Sequence, residues 1–420
     1  MTATDTHRAI DAVWRIESAK VIAVLTRMVR DVGLAEDFAH DALLVALERW
    51  PQSGIPDNPG AWLMATAKHR AIDHFRRNQL LDRKHEELGR EVAERETAVP
   101  DPTAKIDDNI DDDLLRLVFI SCHPILSREA QLALTLRLLG GLTTDEIARA
   151  FLASEPTIAQ RIVRAKRTLA EAHVPFEVPR GADFTTRLSS VLQVLYLIFN
   201  EGYTATAGDD WMRPALCEEA LRLGRILAGL VPNEPEVHGL VSLLEIQASR
   251  SKARVDASGA PILLLDQDRG RWDQLLIRRG LAGLERATIL GGARGPYVLQ
   301  AEIAACHACA RTAEETDWQR IVELYRDLSE IAPSPIVELN RAVAVAMAFG
   351  PQAGLSLVDS LTSEPSLKSY HLLPTVRGDL LKKLGRLGEA RVEFERAAAL
   401  TRNTRERELL LARSRACSEG

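Results

Sequence analysis

The sequence predicts an all-α protein: two small helical domains joined by an acidic linker, followed by a larger helical extension. Three observations carry this expectation. Ala, Leu, Arg and Glu dominate while β-branched runs are few, a composition that favours helix over strand. Apolar residues recur at three- and four-residue spacing through most of the chain, as one face of a helix requires. A chain of 420 residues also exceeds one ordinary core, so two to four domains are expected.

Taken in order, residues 7–30 read as one helix, with Gly33 as its stop signal. Residues 35–50 form a second helix. Glu36 and Asp37 lie in its first turn, where the helix dipole favours acids, and Pro51 ends it. Pro51–Asn58 reads as a loop. Asn58 then supplies a cap, and Pro59 the first position of a helix running to about Leu80. Apolar periodicity is lost over 86–113, which carries Glu87, Glu91, Glu94, Glu96, Pro100, Pro102, Asp107, Asp108 and Asp111–Asp113. This is a linker whose last acids open a helix from Asp112 to about His123; a metal or partner site is the alternative use of those aspartates.

A second helical unit spans 112–174, with Pro175 and Pro179 at its boundary. From Asp183 to Ala253, Leu188, Val191, Leu192, Leu195 and Ile198 share one helical stripe. Residues 254–273 are less regular and suggest a hairpin-like loop. Helices return from about residue 282 to 413. There the Arg341–Gly350 helix end recurs as Arg377–Gly385, and Ala390, Phe394 and Ala398 fall at helical spacing. A period of roughly 34–36 residues resembles tetratricopeptide repeats; a generic helical bundle is the alternative. The expected divisions are 1–85, the linker at 86–111, 112–175, 176–300 and 301–420.

Net charge is −6, so the chain as a whole is not an obvious nucleic-acid binder. Two local patches are basic. Lys68 to Lys84 holds six Lys/Arg against two acids, and Ser154 to Glu171 holds four against two. The first residues lack the pattern of a secretory signal, and no apolar run approaches the roughly 20 residues of a membrane helix. A soluble, cytoplasmic protein without membrane contact is expected. Five cysteines, an odd number and mostly far apart, read as reduced thiols. Cys306-His307-Ala308-Cys309 has a ligand spacing but no second Cys/His pair nearby. Asp266, Asp268 and Asp273 lack the Gly and Glu of a calcium loop. No catalytic residue, metal or cofactor is expected, and the chain does not read as an enzyme.

The sharpest motif is a helix-turn-helix at 142–171. Thr143 or Thr144 caps a short helix, and Glu146 completes a capping box if Thr143 is the cap. Leu152–Ser154 forms the turn, and Ser154 caps a longer helix with Pro156 in its first turn. Ile158, Ile162, Ala165 and Leu169 form a narrow core stripe. Gln160, Arg164 and Arg167 lie opposite, flanked by Thr157, Arg161 and Lys166. A helix in the major groove needs this chemistry: Arg and Gln for base edges, Thr, Lys and further Arg for phosphates. An ordinary amphipathic helix with a solvated basic face is the plainer alternative.

A second constellation runs from Asn58 to Arg77. Leu63, Met64, Ala67, Ala71, Ile72 and Phe75 form an apolar face, with Trp62, His69, Asp73, Arg76 and Arg77 on the other. A basic, aromatic-bearing helix beside a polar loop suits melted DNA, whose unstacked bases need π surfaces and cations. For Trp62, packing against the preceding helices is the alternative; for Asp73, it is an ion pair or cap.

Residues 35–43, 61–63 and 67–77 resemble region two of extracytoplasmic-function sigma factors, and 142–171 resembles their region four. The resemblance implies that Asp37, Asp41, Leu44 and Glu48 dock on the polymerase catalytic subunit. It implies that the Pro51–Asn58 loop and the helix after it, with Asn58, Trp62, Lys68, His69, Arg76 and Arg77, open the minus-ten element. Thr157, Gln160, Arg161, Arg164, Lys166 and Arg167 would read the minus-thirty-five element. His40 stands where the family usually carries Gln. Ile120–Pro124, Leu197–Tyr203 and Asp266–Asp273 resemble segments of a C-terminally extended subgroup, in which a tetratricopeptide-like domain stands in for a separate anti-sigma factor. The implied partners are core RNA polymerase and promoter DNA, with an intramolecular contact of the extension on the sigma domains. A stand-alone helix-turn-helix regulator with a helical sensor is the rival reading.

Overall fold

The computed structural model describes the backbone of residues 3–88, 110–291 and 294–418, and side chains over 6–77, 110–291 and 294–418. Most of the expected acidic linker therefore lies outside the described residues. Among the described residues the chain is all-α apart from one two-residue parallel pairing and one isolated bridge, and it divides into two compact units, Met1–Val194 and Leu195–Gly420. Among the described residues no helix is long and apolar enough to cross a membrane.

The first unit opens with α1 (Ala3–Val29), α2 (Val32–Ser53) and α3 (Pro59–Leu88). Two expected stops are corrected. Arg30 takes the left-handed turn after α1, with φ 56°, while Gly33 lies inside the first turn of α2, whose cap is Asp31. Pro51 does not end α2. It sits in the final turn, where its missing N–H costs only one hydrogen bond, and Gly54, at φ 84°, closes the helix instead. Ile22, Leu25, Ala39, Ala42, Trp50 and Leu63 are buried between the three helices.

Next come α4 (Ile110–Ser121), α5 (Arg128–Leu138), α6 (Thr144–Ala150) and α7 (Glu155–Glu171). Asp111–Asp113 occupy the first turn of α4, as a helix start requires. The division between the units falls within α8 (Gly181–Tyr203). The first half of α8 covers α4: Phe184 lies 5.5 Å from the Phe119 ring, and Arg187 donates to the Phe119 carbonyl at 2.9 Å. The expected stripe from Leu188 to Ile198 is buried throughout.

The second unit continues with α9 (Pro214–Leu230), α10 (Pro235–Ser249), α11 (Gln274–Leu290) and α12 (Pro296–Cys309). Between α10 and α11 the chain makes short 3-10 turns and one antiparallel bridge, Val255 to Pro261. Here Tyr203 and Trp272 meet three arginines, of which Arg250 and Arg254 are buried. Arg254 stacks 3.4 Å from the Tyr203 ring centroid and donates to the Tyr203 carbonyl. Arg250 bonds the Tyr203 hydroxyl and lies over Trp272, as Arg269 does from 4.9 Å. Ring faces, backbone carbonyls and hydroxyls together meet these charges.

The remaining helices are α13 (Trp318–Ile331), α14 (Pro335–Phe349), α15 (Pro351–Ser360), α16 (Leu372–Lys383), α17 (Leu387–Leu400) and α18 (Thr404–Ala416). From α12 onward each helix packs on its successor. Gly350, the C-cap of α14, and Gly385, one residue past the C-cap of α16, both take positive φ, 98° and 77°. The short strands β1 (Ala207–Gly208) and β2 (Arg402–Asn403) pair in parallel. Asn403 is buried and donates to the carbonyls of Ala205 at 3.1 Å and Asp210 at 2.8 Å.

Candidate nucleic-acid interface

The turn between α6 and α7 follows from its capping residues. Thr143 is the cap of α6, with both hydrogen bonds of the capping box to Glu146 formed. Leu152 takes a left-handed φ of 48°, and Ser154 accepts from the Thr157 amide to start α7. Ile158, Ile162, Ala165 and Leu169 are buried, which leaves Thr157, Gln160, Arg164 and Arg167 exposed on the other side. Arg161 is half-buried. Arg167 pairs with Glu171 at 2.6 Å, one turn on. A cleft between the start of α5 and α7 is lined by Ser127, Glu129, Gln160, Arg161 and Arg164. Burial is slight for Glu129, and its own backbone amide and the Ser127 hydroxyl hold its carboxyl below the usual value.

Lys166 departs from this pattern. Its ammonium pairs with Glu36 of α2, a carboxylate only 3% exposed. Arg137 of α5 donates to the same carboxylate at 2.6 Å and to His40 Nε2 at 2.8 Å. His40 Nδ1 faces the Glu36 carbonyl at 3.1 Å, so the ring fits the neutral, Nδ1-protonated form. Burial pushes the His40 imidazole down, and Arg137 adds to this against the opposing pull of Glu36. Burial by itself would raise the Glu36 carboxyl; Lys166 and Arg137 outweigh it and hold it below the ordinary value. Nothing local in the sequence signals this cluster, since its two halves, Glu36 with His40 and Arg137 with Lys166, lie about a hundred or more positions apart.

On α2, Ala35, Phe38, Ala39, Ala42 and Ala46 face the core. Asp37, Asp41, Leu44 and Glu48 form the outward stripe, and Leu44 is 57% exposed. An exposed leucine among acids has no partner in this fold's core, as a docking surface would require.

Around the loop after α2, Asn58 caps α3 by accepting from the Ala61 amide at 3.1 Å. Trp62 is half-buried, edge-on to Trp50 at 5.2 Å between ring centroids. The two indoles, with Arg49, Gln52, Ser53 and Pro56, line a small cleft. The alternative given for Trp62, packing on the preceding helix, thus describes one edge of its ring. His69, Arg76 and Arg77 are exposed and Lys68 is half-buried. Phe75, expected on the apolar face, is instead 38% exposed beside His74, because that face has passed beyond the core of α1 and α2.

Of the residues considered for metal, Cys306 is half-buried, Cys309 exposed and His307 buried against Trp318. Burial pushes the Cys306 thiol up to about 11, away from the thiolate a metal or redox site needs. Among the described residues no group of three or more His, Cys, Asp or Glu side chains is placed to hold a metal ion.

Comparison with known proteins agrees with this geometry. Residues 15–80 match Sigma-70 region 2, and 116–169 match Sigma-70, region 4. Residues 187–288 match a family of unknown function, DUF6596. The uncharacterized protein R00370 of Rhizobium meliloti (strain 1021) is 43% identical over 401 residues, covering 92% of this chain and 90% of that protein. The probable ECF RNA polymerase sigma factor SigI of Mycobacterium tuberculosis is 25% identical over 41% of this chain and 58% of its own length. The ECF RNA polymerase sigma factor SigK of Mycobacterium sp. (strain KMS) is 26% identical over 37% of this chain and 77% of its own. No solved structure matches.

Proposed function

The chain belongs to the extracytoplasmic-function sigma factors of the sigma-70 family, and from that membership we propose how its surfaces divide the work of promoter recognition. A sigma factor directs bacterial RNA polymerase to promoters and initiates transcription, and its family is not enzymatic. The exposed stripe of Asp37, Asp41, Leu44 and Glu48 docks on core polymerase. Trp62, His69, Arg76 and Arg77, with Lys68 and the Asn58 loop, engage the melted minus-ten strand. Thr157, Gln160, Arg161, Arg164 and Arg167 read the minus-thirty-five element, and Lys166 joins them once it leaves Glu36. In domain terms, residues 1–85 and 112–175 carry these tasks, and 86–111 links them. Residues 176–300 and the tetratricopeptide-like 301–420 support initiation through a protein contact, with the sigma regions or with polymerase. Such work takes place in the cytoplasm.

One observation supports this reading above the others: the two sigma regions follow in order, each with a polar stripe that its own core leaves outward. A stand-alone regulator has no use for region 2. The test is run-off transcription with purified core polymerase and DNA from upstream of the protein's own operon. Transcripts that core alone cannot start support the reading. Failure to associate with core at submicromolar concentration overturns it.

A further inference from the structure

Two segments singled out in the sequence, Leu197–Tyr203 and Asp266–Asp273, meet at one place in the second unit. Tyr203 closes α8, Trp272 lies just before α11, and the side chains of Arg250 and Arg254 reach their rings. The two arginines are 9% and 6% exposed. Guanidiniums this buried are ordinarily paired with a carboxylate, because taking a charge out of water is costly unless an opposite charge meets it. Here the partners are neutral. Arg250 donates to the Tyr203 hydroxyl, and Arg254 donates to the Tyr203 carbonyl and the Thr204 hydroxyl, each at 2.9 Å. Among the described residues neither arginine forms an ion pair.

The Nε atoms of both arginines are buried without a hydrogen-bond partner, and so is the Trp272 indole nitrogen. Arg269 brings a third charge to Trp272, but the carbonyls of His307 and Ala310 at the end of α12 and the Thr316 hydroxyl answer it. Burial draws the Arg254 guanidinium below its ordinary value; Tyr203 opposes this and Arg250 adds to it. The Arg254 and Arg250 guanidinium carbons lie 3.4 and 5.6 Å from the same Tyr203 ring centroid, so one oxyanion can accept hydrogen bonds from both.

We propose that Arg250 and Arg254 form a binding site for a small oxyanion, a phosphate or a carboxylate, seated against Tyr203 and Trp272. The site does not rest on the sigma reading, and it gives the extension a small-molecule input which that reading does not supply. Trp211 marks the way in. Its ring centroid is 5.9 Å from the Arg254 guanidinium carbon, and it lines a cleft of about 550 Å³ together with Lys252 and Arg405. Asp209, Asp210 and Glu218 line the same cleft and would repel an anion resting there. The ligand's place is therefore behind the indole, among the guanidiniums. The rings of Tyr203, Trp211 and Trp272 flank those charges, which favours a compact anion over a nucleotide.

The test titrates inorganic phosphate, and in a separate arm malonate, into the full chain by calorimetry at constant ionic strength. At least one should bind once per chain with a dissociation constant below about 1 mM, and the arm that binds identifies the oxyanion. Arg250→Met and Arg254→Met should each weaken that binding about tenfold or more. Arg326→Gln, at an exposed arginine of α13, should leave it within about twofold. Circular dichroism establishes that each variant is folded. Hydrogen exchange on wild type gives a readout that needs no substitution: the bound anion should slow exchange in peptides covering 250–255 and 269–273. Neither anion binding at up to about 10 mM overturns the proposal. Equal affinity in both folded Met variants also overturns it, as does an equal loss in Arg326→Gln or protection that falls elsewhere in the chain.

Discussion

Arg164 and His307 make different predictions because one faces solvent and the other the core. Arg164→Ala removes an exposed guanidinium from α7. It should cost about 1–3 kcal/mol of promoter affinity and relax preference at one upstream base pair, with thermal stability unchanged. Binding selections across a promoter library measure this; unaltered preference removes Arg164 from the reading set. Burial, with Arg250 and Arg269 beside it, pushes His307 down to about 4 from 6.5. The unfolded chain takes up that proton below about pH 6.5, while the folded protein resists it until about pH 4. Stability therefore falls as pH drops through this window, by about 3 kcal/mol at most for this one group. Urea unfolding at pH 7 and pH 4.5 should show the loss in wild type and a smaller one in His307→Phe, which keeps a ring against Trp318. The core stripe of α7 was legible from spacing alone, because periodicity is a local property. The partner of Lys166 was not: Glu36 lies 130 positions away, and only the packed unit brings them together.

Three helix starts are legible in the sequence, but the start of α2 is not: it begins at Val32 after the Asp31 cap, not at 35, so Glu36 and Asp37 lie beyond its first turn. Asn58, Thr143 and Ser154 each accept the amide hydrogen bond that their side-chain chemistry suggests, since a cap is decided within one turn. The ends at Gly33 and Pro51 were misplaced for the same reason reversed. Glycine and proline permit termination without requiring it: Gly33 lies in the first turn of α2, and the final turn accepts Pro51 while Trp50 stays buried. The stripe on α2 was also legible, as residues 37, 41, 44 and 48 share one side of a helix. That it is free of the core is what the structure adds. Leu44→Ala should lower affinity for core polymerase at least fivefold while leaving the unfolding transition within about 0.5 kcal/mol of wild type. Equal affinity in a co-elution or fluorescence assay would move the polymerase surface elsewhere on the molecule.

At the scale of the whole chain, the all-α class and the order of the two sigma regions were legible, because composition and two motifs carry them. The place where the first unit stops was not. Prolines at 175 and 179 suggest a break, yet the first half of α8 belongs to the first unit, with Phe184 and Arg187 closing over Phe119. A fragment ending at Val194 should therefore be stable, bind core polymerase and initiate poorly if the extension supports initiation. One ending at Glu177 should melt several degrees lower, since it uncovers Phe119 and its neighbours. A Val194 fragment more active than the full chain would make the extension an inhibitor. The pairing of β2 with β1, and the two hydrogen bonds from Asn403, have a consequence for synthesis. The carbonyls of Ala205 and Asp210 wait for a side chain made nearly two hundred codons later. At about 5–20 residues per second, that is a delay of roughly 10–40 s on the ribosome. Throughout it the sigma regions have already emerged and can fold, so each newly made molecule passes through a period as a bare promoter-reading unit before its second half is complete.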